Sequence, residues 1–166
     1  MKVQFIVVHH SASNPETTVA EIRDWHVNGR GWRDIGYHLL LRQERDQTIQ
    51  LCFGRPHDED DTLESWEYGA HVGGHNRYSF GICAVGNWSL DPMPPEMLES
   101  VVLLLSDLCL KWELDPEAAI RGHGEMPGAS TECPGLLVDM GLIRQAVAEK
   151  VDRLREINDN DGDLNV

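Results

Sequence analysis

Residues 6–13 read IVVHHSAS, a run of branched apolar residues that ends in two adjacent histidines and a small polar turn. Val3 to Val8, broken only by Gln4, has the β-branched enrichment of a buried strand. It is too short for the apolar core of a signal peptide. Strand side chains alternate between two faces, so His9 continues the Val7 side and His10 the other. Either these imidazoles pack, or something at the strand's end needs nitrogen ligands.

Outward from that strand, a helix should follow. Thr18 and Glu21 form a capping box, Val19, Ile22 and Trp25 line one face, and Asn28-Gly29 closes the helix. GYHLLL (36–41) and TIQLCF (48–53) read as two strands of a hairpin, and SFGICAVGN (79–87) as another buried strand. Pro94-Pro95 opens a helix with the stripe Leu98, Val101, Leu105, Leu108 and Trp112. A last amphipathic helix spans about 139–157 through Ile143, Val147, Val151 and Leu154. The segment HDEDDTLESWE (57–67) carries six acids and reads as a solvated loop or short helix. Strands interleaved with helices indicate an α/β fold: one domain, with a central mixed β-sheet flanked by helices. The domain should cover residues 1–155, with 156–166 an acidic, disordered tail. Asp159, Asp161 and Asp163 alternate there like the start of a calcium loop, but no bidentate Glu completes it.

At 166 residues and 41% hydrophobic, the chain is long enough to bury a core. Its net charge of -14 argues against a nucleic-acid surface and against electrostatic docking on an anionic membrane or wall polymer. No stretch approaches the length of a membrane span, so no membrane insertion is expected. Four cysteines without a CxxC pair suggest reduced thiols, and with no signal peptide the protein should be cytoplasmic as made.

RGHGEMPGASTECPG (121–135) places His123 and Cys133 ten residues apart in a Gly/Pro-rich loop that can fold back on itself. Together with His9 or His10 they make a candidate metal site. Imidazole with thiolate favours zinc over calcium or magnesium, and three protein ligands leave a fourth position open, the catalytic arrangement.

IVVHHSAS, DIGYHLLL, GAHVGGHNRYSFGICAVGN and RGHGEMPGASTECPG occur in that order at spacings that resemble the zinc-dependent N-acetylmuramoyl-L-alanine amidases. That family includes T7-type phage enzymes and the peptidoglycan recognition proteins, and the likeness covers roughly residues 3–140. The resemblance implies one Zn2+ per chain on His9, His123 and Cys133, with His10 at a variable position. It also implies a catalytic Tyr37 and, where the family carries Lys or Thr, a catalytic Thr131. His71 and Asn76 would lie beside the substrate groove and Trp32 could stack on sugar, whereas His26 reads as structural and His57 as solvent-facing.

The implied reaction is hydrolysis of the amide between N-acetylmuramic acid and L-alanine in peptidoglycan. The implied setting is a phage endolysin that reaches the wall through a holin-type pore, or alternatively a bacterial recycling amidase. Rival readings are a non-catalytic peptidoglycan binder, a polymerase-regulating protein with a protein partner, and a zinc peptidase acting within the stem peptide.

Overall fold

In the computed structural model, residues 1–58 and 60–162 are described, the side chains of 158–162 excepted. The strands are β1 (Phe5–His10), β2 (Leu39–Gln43), β3 (Ile49–Phe53), β4 (Ser79–Ala84) and β5 (Ile120–Gly122). They form one mixed sheet in the order β3-β2-β4-β1-β5. β2 and β3 are the expected antiparallel hairpin, while β2–β4, β4–β1 and β1–β5 pair in parallel. The helices are α1 (Val19–Asp24), α2 (Pro95–Lys111), α3 (Pro116–Ala119) and α4 (Met140–Gly162).

The two faces of β1 part as its alternation requires. Ile6 and Val8 join the main core with Met97, Val101 and Leu105 of α2 and Ile143, Val147 and Val151 of α4. Burial of each such side chain contributes roughly 1.5–3 kcal/mol. Val7 faces the other side, against Val72 and Met126. On that side α1 also packs, through Ile22 against Ile35, Leu40 and Cys83. His9 follows Val7 on the loop-covered face, at the carboxyl end of a parallel-paired strand. That is where open α/β sheets place their sites.

Three local expectations shift. The α1 capping box is complete, with both arms formed between Thr18 and Glu21. The helix then widens into a π-turn over Trp25–Gly29. The wider turn rotates the register: Trp25 is 44% exposed, and buried His26 takes the inward place, its Nδ1 accepting the Gly36 N–H at 3.1 Å. In α2, Met97 rather than Leu98 leads the buried stripe, and Leu98 is 40% exposed. Starting the helix at Pro95 sets Met97, Val101, Leu105 and Leu108 on one face.

Finally, α4 runs to Gly162, so it passes the expected boundary at 155. The end of the expected tail, 163–166, lies outside the described residues, as do the side chains of Asp159 and Asp161.

The acidic segment is tied down from within. Glu67 is buried, and its carboxylate accepts the Asp58 N–H at 2.9 Å and the Glu64 N–H at 2.7 Å. The four cysteines are free, with Cys83, Cys109 and Cys133 buried.

His38 is also fully buried; its Nδ1 accepts from Gly81 N at 2.8 Å, and its Nε2 donates to Glu67 O at 3.0 Å. Burial holds His38 well below its ordinary pKa, with His71 adding to the effect. Burial, then Arg30 and Arg55, pushes His26 down to about 4. An unfolded imidazole titrates near 6.5. Both residues are thus neutral in either state above that value. Below it the unfolded chain takes up protons that the fold refuses, costing about 1.4 kcal/mol of stability per pH unit for each imidazole. Urea unfolding of the metal-free protein should therefore be flat from pH 8 to 7 and fall from pH 6.5 downward. A flat curve to pH 5 would contradict this account.

Candidate metal centre

The parallel ladder between β1 and β5 pairs Val8 with Gly122, so His9, still within β1, and His123, the first residue past β5, come side by side. Their rings lie 4.7 Å apart between centroids. Cys133 arrives from the loop after β5. That loop is held by a bond from Gly124 N to Cys133 O at 2.7 Å and by Leu137 N to Trp88 O at 3.0 Å. A Cβ on Gly135 would lie 2.5 Å from the Trp88 backbone, so only glycine lets the Cys-Pro-Gly turn dock there. The His10 backbone N–H points at Cys133 Sγ from 3.4 Å.

One ligand atom from each of His9, His123 and Cys133 lies within 4.8 Å of the others, the one such three-donor group among the described residues. His9 Nδ1 is 3.6 Å from Cys133 Sγ. Tetrahedral zinc, with bonds of about 2.3 Å to sulfur and about 2.0–2.1 Å to nitrogen, separates two such donors by about 3.5–3.6 Å. The residues fit the metal. Burial, then the neighbouring His71 and His123, holds His9 well below its ordinary pKa, and burial lowers His123 too. Both imidazoles thus keep a lone pair to donate. Burial pushes the Cys133 thiol up to about 11 against the pull of the His10 N–H, so Cys133 would give up a proton to bind a metal.

Tyr37 stands against this cluster with its ring 5.1 Å from His9. Burial, then Cys83 and Cys133, raises its pKa well above the ordinary value, so the phenol stays protonated. Thr131 is exposed at the cleft and its Oγ1 accepts the Cys133 N–H at 3.2 Å, which leaves the hydroxyl proton free to point outward.

The side chains expected at the substrate groove lie near the cluster but are engaged within the protein. His71 is buried, with Nδ1 3.0 Å from His9 Nε2 and Nε2 3.2 Å from Ser79 O, so neither ring nitrogen is offered to a groove. Asn76 spends its Oδ1 on the backbone N–H groups of His71 and Val72, both at 2.9 Å. Trp32 is half-buried, packed on His26 at 4.8 Å with the Arg30 guanidinium over its ring at 5.2 Å. That position suits packing around His26 better than sugar stacking. His57 is half-buried rather than solvent-facing, edge-on to Phe80 at 5.0 Å.

Sequence reading also missed what braces the ligand loop. His75 Nε2 donates to Pro127 O at 3.0 Å, and its Nδ1 accepts from the Tyr78 hydroxyl at 2.6 Å, tying the 71–78 loop to the ligand loop. Glu125 Oε2 accepts the Gly122 N–H at 2.8 Å, and Arg144 of α4 grips the same carboxylate at 2.8 and 3.1 Å. Burial pushes the Glu125 carboxyl up, but Arg144 and Gly122 more than offset it and hold it below the ordinary value. Glu125 is thus an engaged acceptor that clamps the turn carrying His123, not a free base. Nothing in periodicity could have paired Arg144 with a loop nineteen residues away.

Two imidazoles and a thiol converging at the carboxyl edge of a parallel-paired sheet form a donor set of the kind that can hold one metal ion with a position left open. The family described as N-acetylmuramoyl-L-alanine amidase matches residues 1–136. The endolysin of Enterobacteria phage K11 is 34% identical over 134 residues, spanning 76% of this chain and 77% of that protein. The solved N-acetylmuramoyl-L-alanine amidase LysC from Clostridium intestinale superposes with a TM-score of 0.71 at 28% identity, over 87% of this chain and 85% of that one. Peptidoglycan recognition protein LE, solved with tracheal cytotoxin, a monomeric diaminopimelic acid-type peptidoglycan, gives a TM-score of 0.63 at 25% identity, over 81% and 75%. The chain belongs to the N-acetylmuramoyl-L-alanine amidase family, whose chemistry is peptidoglycan hydrolysis and whose members include phage endolysins.

The Glu125 clamp yields a direct expectation. Glu125→Ala removes a charged acceptor from Gly122 N and from Arg144, and should cost about 1–3 kcal/mol of stability by urea denaturation. Glu132→Ala, at an exposed neighbouring position, should stay within about 0.5 kcal/mol of the unaltered chain. Equal effects at the two positions would mean the clamp carries no energy.

Proposed function

We propose that this chain is a zinc-dependent amidase that cuts between the lactyl group of N-acetylmuramic acid and the L-alanine of the stem peptide, and that it serves as a phage lysis enzyme. The observation that carries this reading is the convergence of His9, His123 and Cys133 beside the protonated Tyr37. The likeness to the phage K11 endolysin supports the lysis setting. Among the described residues no helix is long and apolar enough to cross a membrane.

A zinc ion on these donors supplies a Lewis acid that makes water nucleophilic at neutral pH. The chain's own residues do the rest. The Tyr37 carbonyl accepts the Arg55 N–H at 2.7 Å, but its hydroxyl has no hydrogen-bond partner among the described residues. Its proton is free for the carbonyl oxygen of the scissile amide as charge develops there. The Thr131 hydroxyl, held by the Cys133 N–H, is the second donor at the same edge. Donors of this kind are worth roughly 2.7–4 kcal/mol each in comparable sites. The His10 N–H bond to Cys133 Sγ steadies the thiolate that metal binding demands.

Digestion of diaminopimelate-type peptidoglycan, with products read by mass spectrometry, tests the reading. Free stem peptides that begin in L-alanine, lost with chelator and restored by zinc, are the expected products. Cleavage between amino acids would make the protein a peptidase, and no release with zinc bound would make it a binder.

Tyr37→Phe should lower kcat by about 10²–10³-fold while one zinc per chain is retained. Cys133→Ser should lose the zinc itself. Full turnover by the phenylalanine variant would remove Tyr37 from the mechanism.

A further inference from the structure

Between the metal-facing ring of His9 and the backbone of β4 lies an imidazole that the reaction leaves unused. His71 Nε2 sits 3.2 Å from the Ser79 carbonyl oxygen, and Nδ1 sits 3.0 Å from His9 Nε2. A carbonyl oxygen only accepts, so His71 Nε2 carries a hydrogen. No acidic side chain contacts either ring nitrogen among the described residues, and a second proton would leave a buried cation without a counter-ion. His71 Nδ1 is therefore an acceptor, and the hydrogen in that contact belongs to His9 Nε2. His9 is left with its lone pair on Nδ1, the atom 3.6 Å from Cys133 Sγ.

We infer that His71 is a positioning residue for the metal centre: it transmits the polarity of the Ser79 carbonyl to His9 and holds His9 in the one neutral tautomer and orientation whose Nδ1 can bind the metal. This rests on the amidase reading only in taking that metal to be zinc.

Two independent features of the chain serve this ring. Asn76 fixes its backbone by accepting both the His71 and the Val72 N–H. Glycines make room for it: a Cβ at Gly81 would lie 2.7 Å from Cγ and Cδ2 of His71, and one at Gly69 would lie 2.6 Å from Cδ2. Gly81 occupies the middle of buried β4, where glycine weakens a strand and marks a close approach. What approaches is the His71 imidazole.

The experiment uses the whole chain and zinc alone. Nitrogen-15 NMR of the metal-free protein reads which His9 nitrogen is protonated. Competition against a chromophoric chelator then gives zinc affinity for the unaltered chain, His71→Leu and His71→Asn. Leucine removes the acceptor, while the asparagine carbonyl keeps one near the place of Nδ1. His9 should be protonated on Nε2 alone, zinc should bind His71→Leu about 10–100-fold more weakly, and His71→Asn should recover most of the loss. A proton on His9 Nδ1, or unweakened zinc binding by the leucine variant, would overturn the inference. The tautomer measurement decides even if the leucine variant fails to fold. Because no substrate enters, a chain with this zinc behaviour that cut no peptidoglycan would fail the functional reading alone.

Discussion

Val8 of β1 is paired with Gly122 of β5 in a parallel ladder, and the residue that follows each, His9 and His123, belongs to the candidate metal-holding group. That register is the constraint on which the site depends. A slip of one residue would turn His9 to the face occupied by α2 and α4 and would separate it from His123. The register is costly to change because β1 is buried on both faces and bonded on both edges, to β4 as well as β5. The third donor does not belong to the sheet at all. Cys133 depends on a loop docked against Trp88 and linked to the His10 backbone, so the site joins a rigid half to a braced half.

The braces share a physical pattern: loop backbone is satisfied by buried or clamped side chains rather than by water. Glu67 holds the acidic segment, Asn76 holds the turn after His71, His75 bridges two loops, and Glu125 with Arg144 holds the turn of His123. Each costs side-chain entropy that a flexible loop would not, which makes sense where donors must stay within a few tenths of an ångström of one arrangement.

Much of this was legible in the residues themselves. The apolar run into His9, the Thr18–Glu21 capping box, the hairpin and the proline-started α2 all follow from local chemistry and were found where expected. The ordered motifs likewise pointed to the ligand set that the structure brings together. What escaped depends on contacts made at a distance. The π-turn that exchanges Trp25 for His26 breaks the periodicity used to read the helix. The choice of Met97 over Leu98 is set by where α2 starts and by its partner α4. His71 and Asn76 were expected beside substrate on the family resemblance, and only the fold shows their bonds turned to His9, Ser79 and the loop backbone.

The close fit of Gly81 to His71 ties two positions together in how this chain can vary. While the imidazole is present, any side chain at 81 collides with it, so the glycine is held fixed by a neighbour ten residues away. Once the imidazole is lost, that restraint vanishes, and a β-carbon at 81 both fills the vacated space and strengthens the strand. Loss of the ring is then hard to reverse: the histidine cannot return until the glycine does. The order of substitutions at these two sites acts as a ratchet, one that a lineage drifting from hydrolysis toward mere binding would pass through in a single direction.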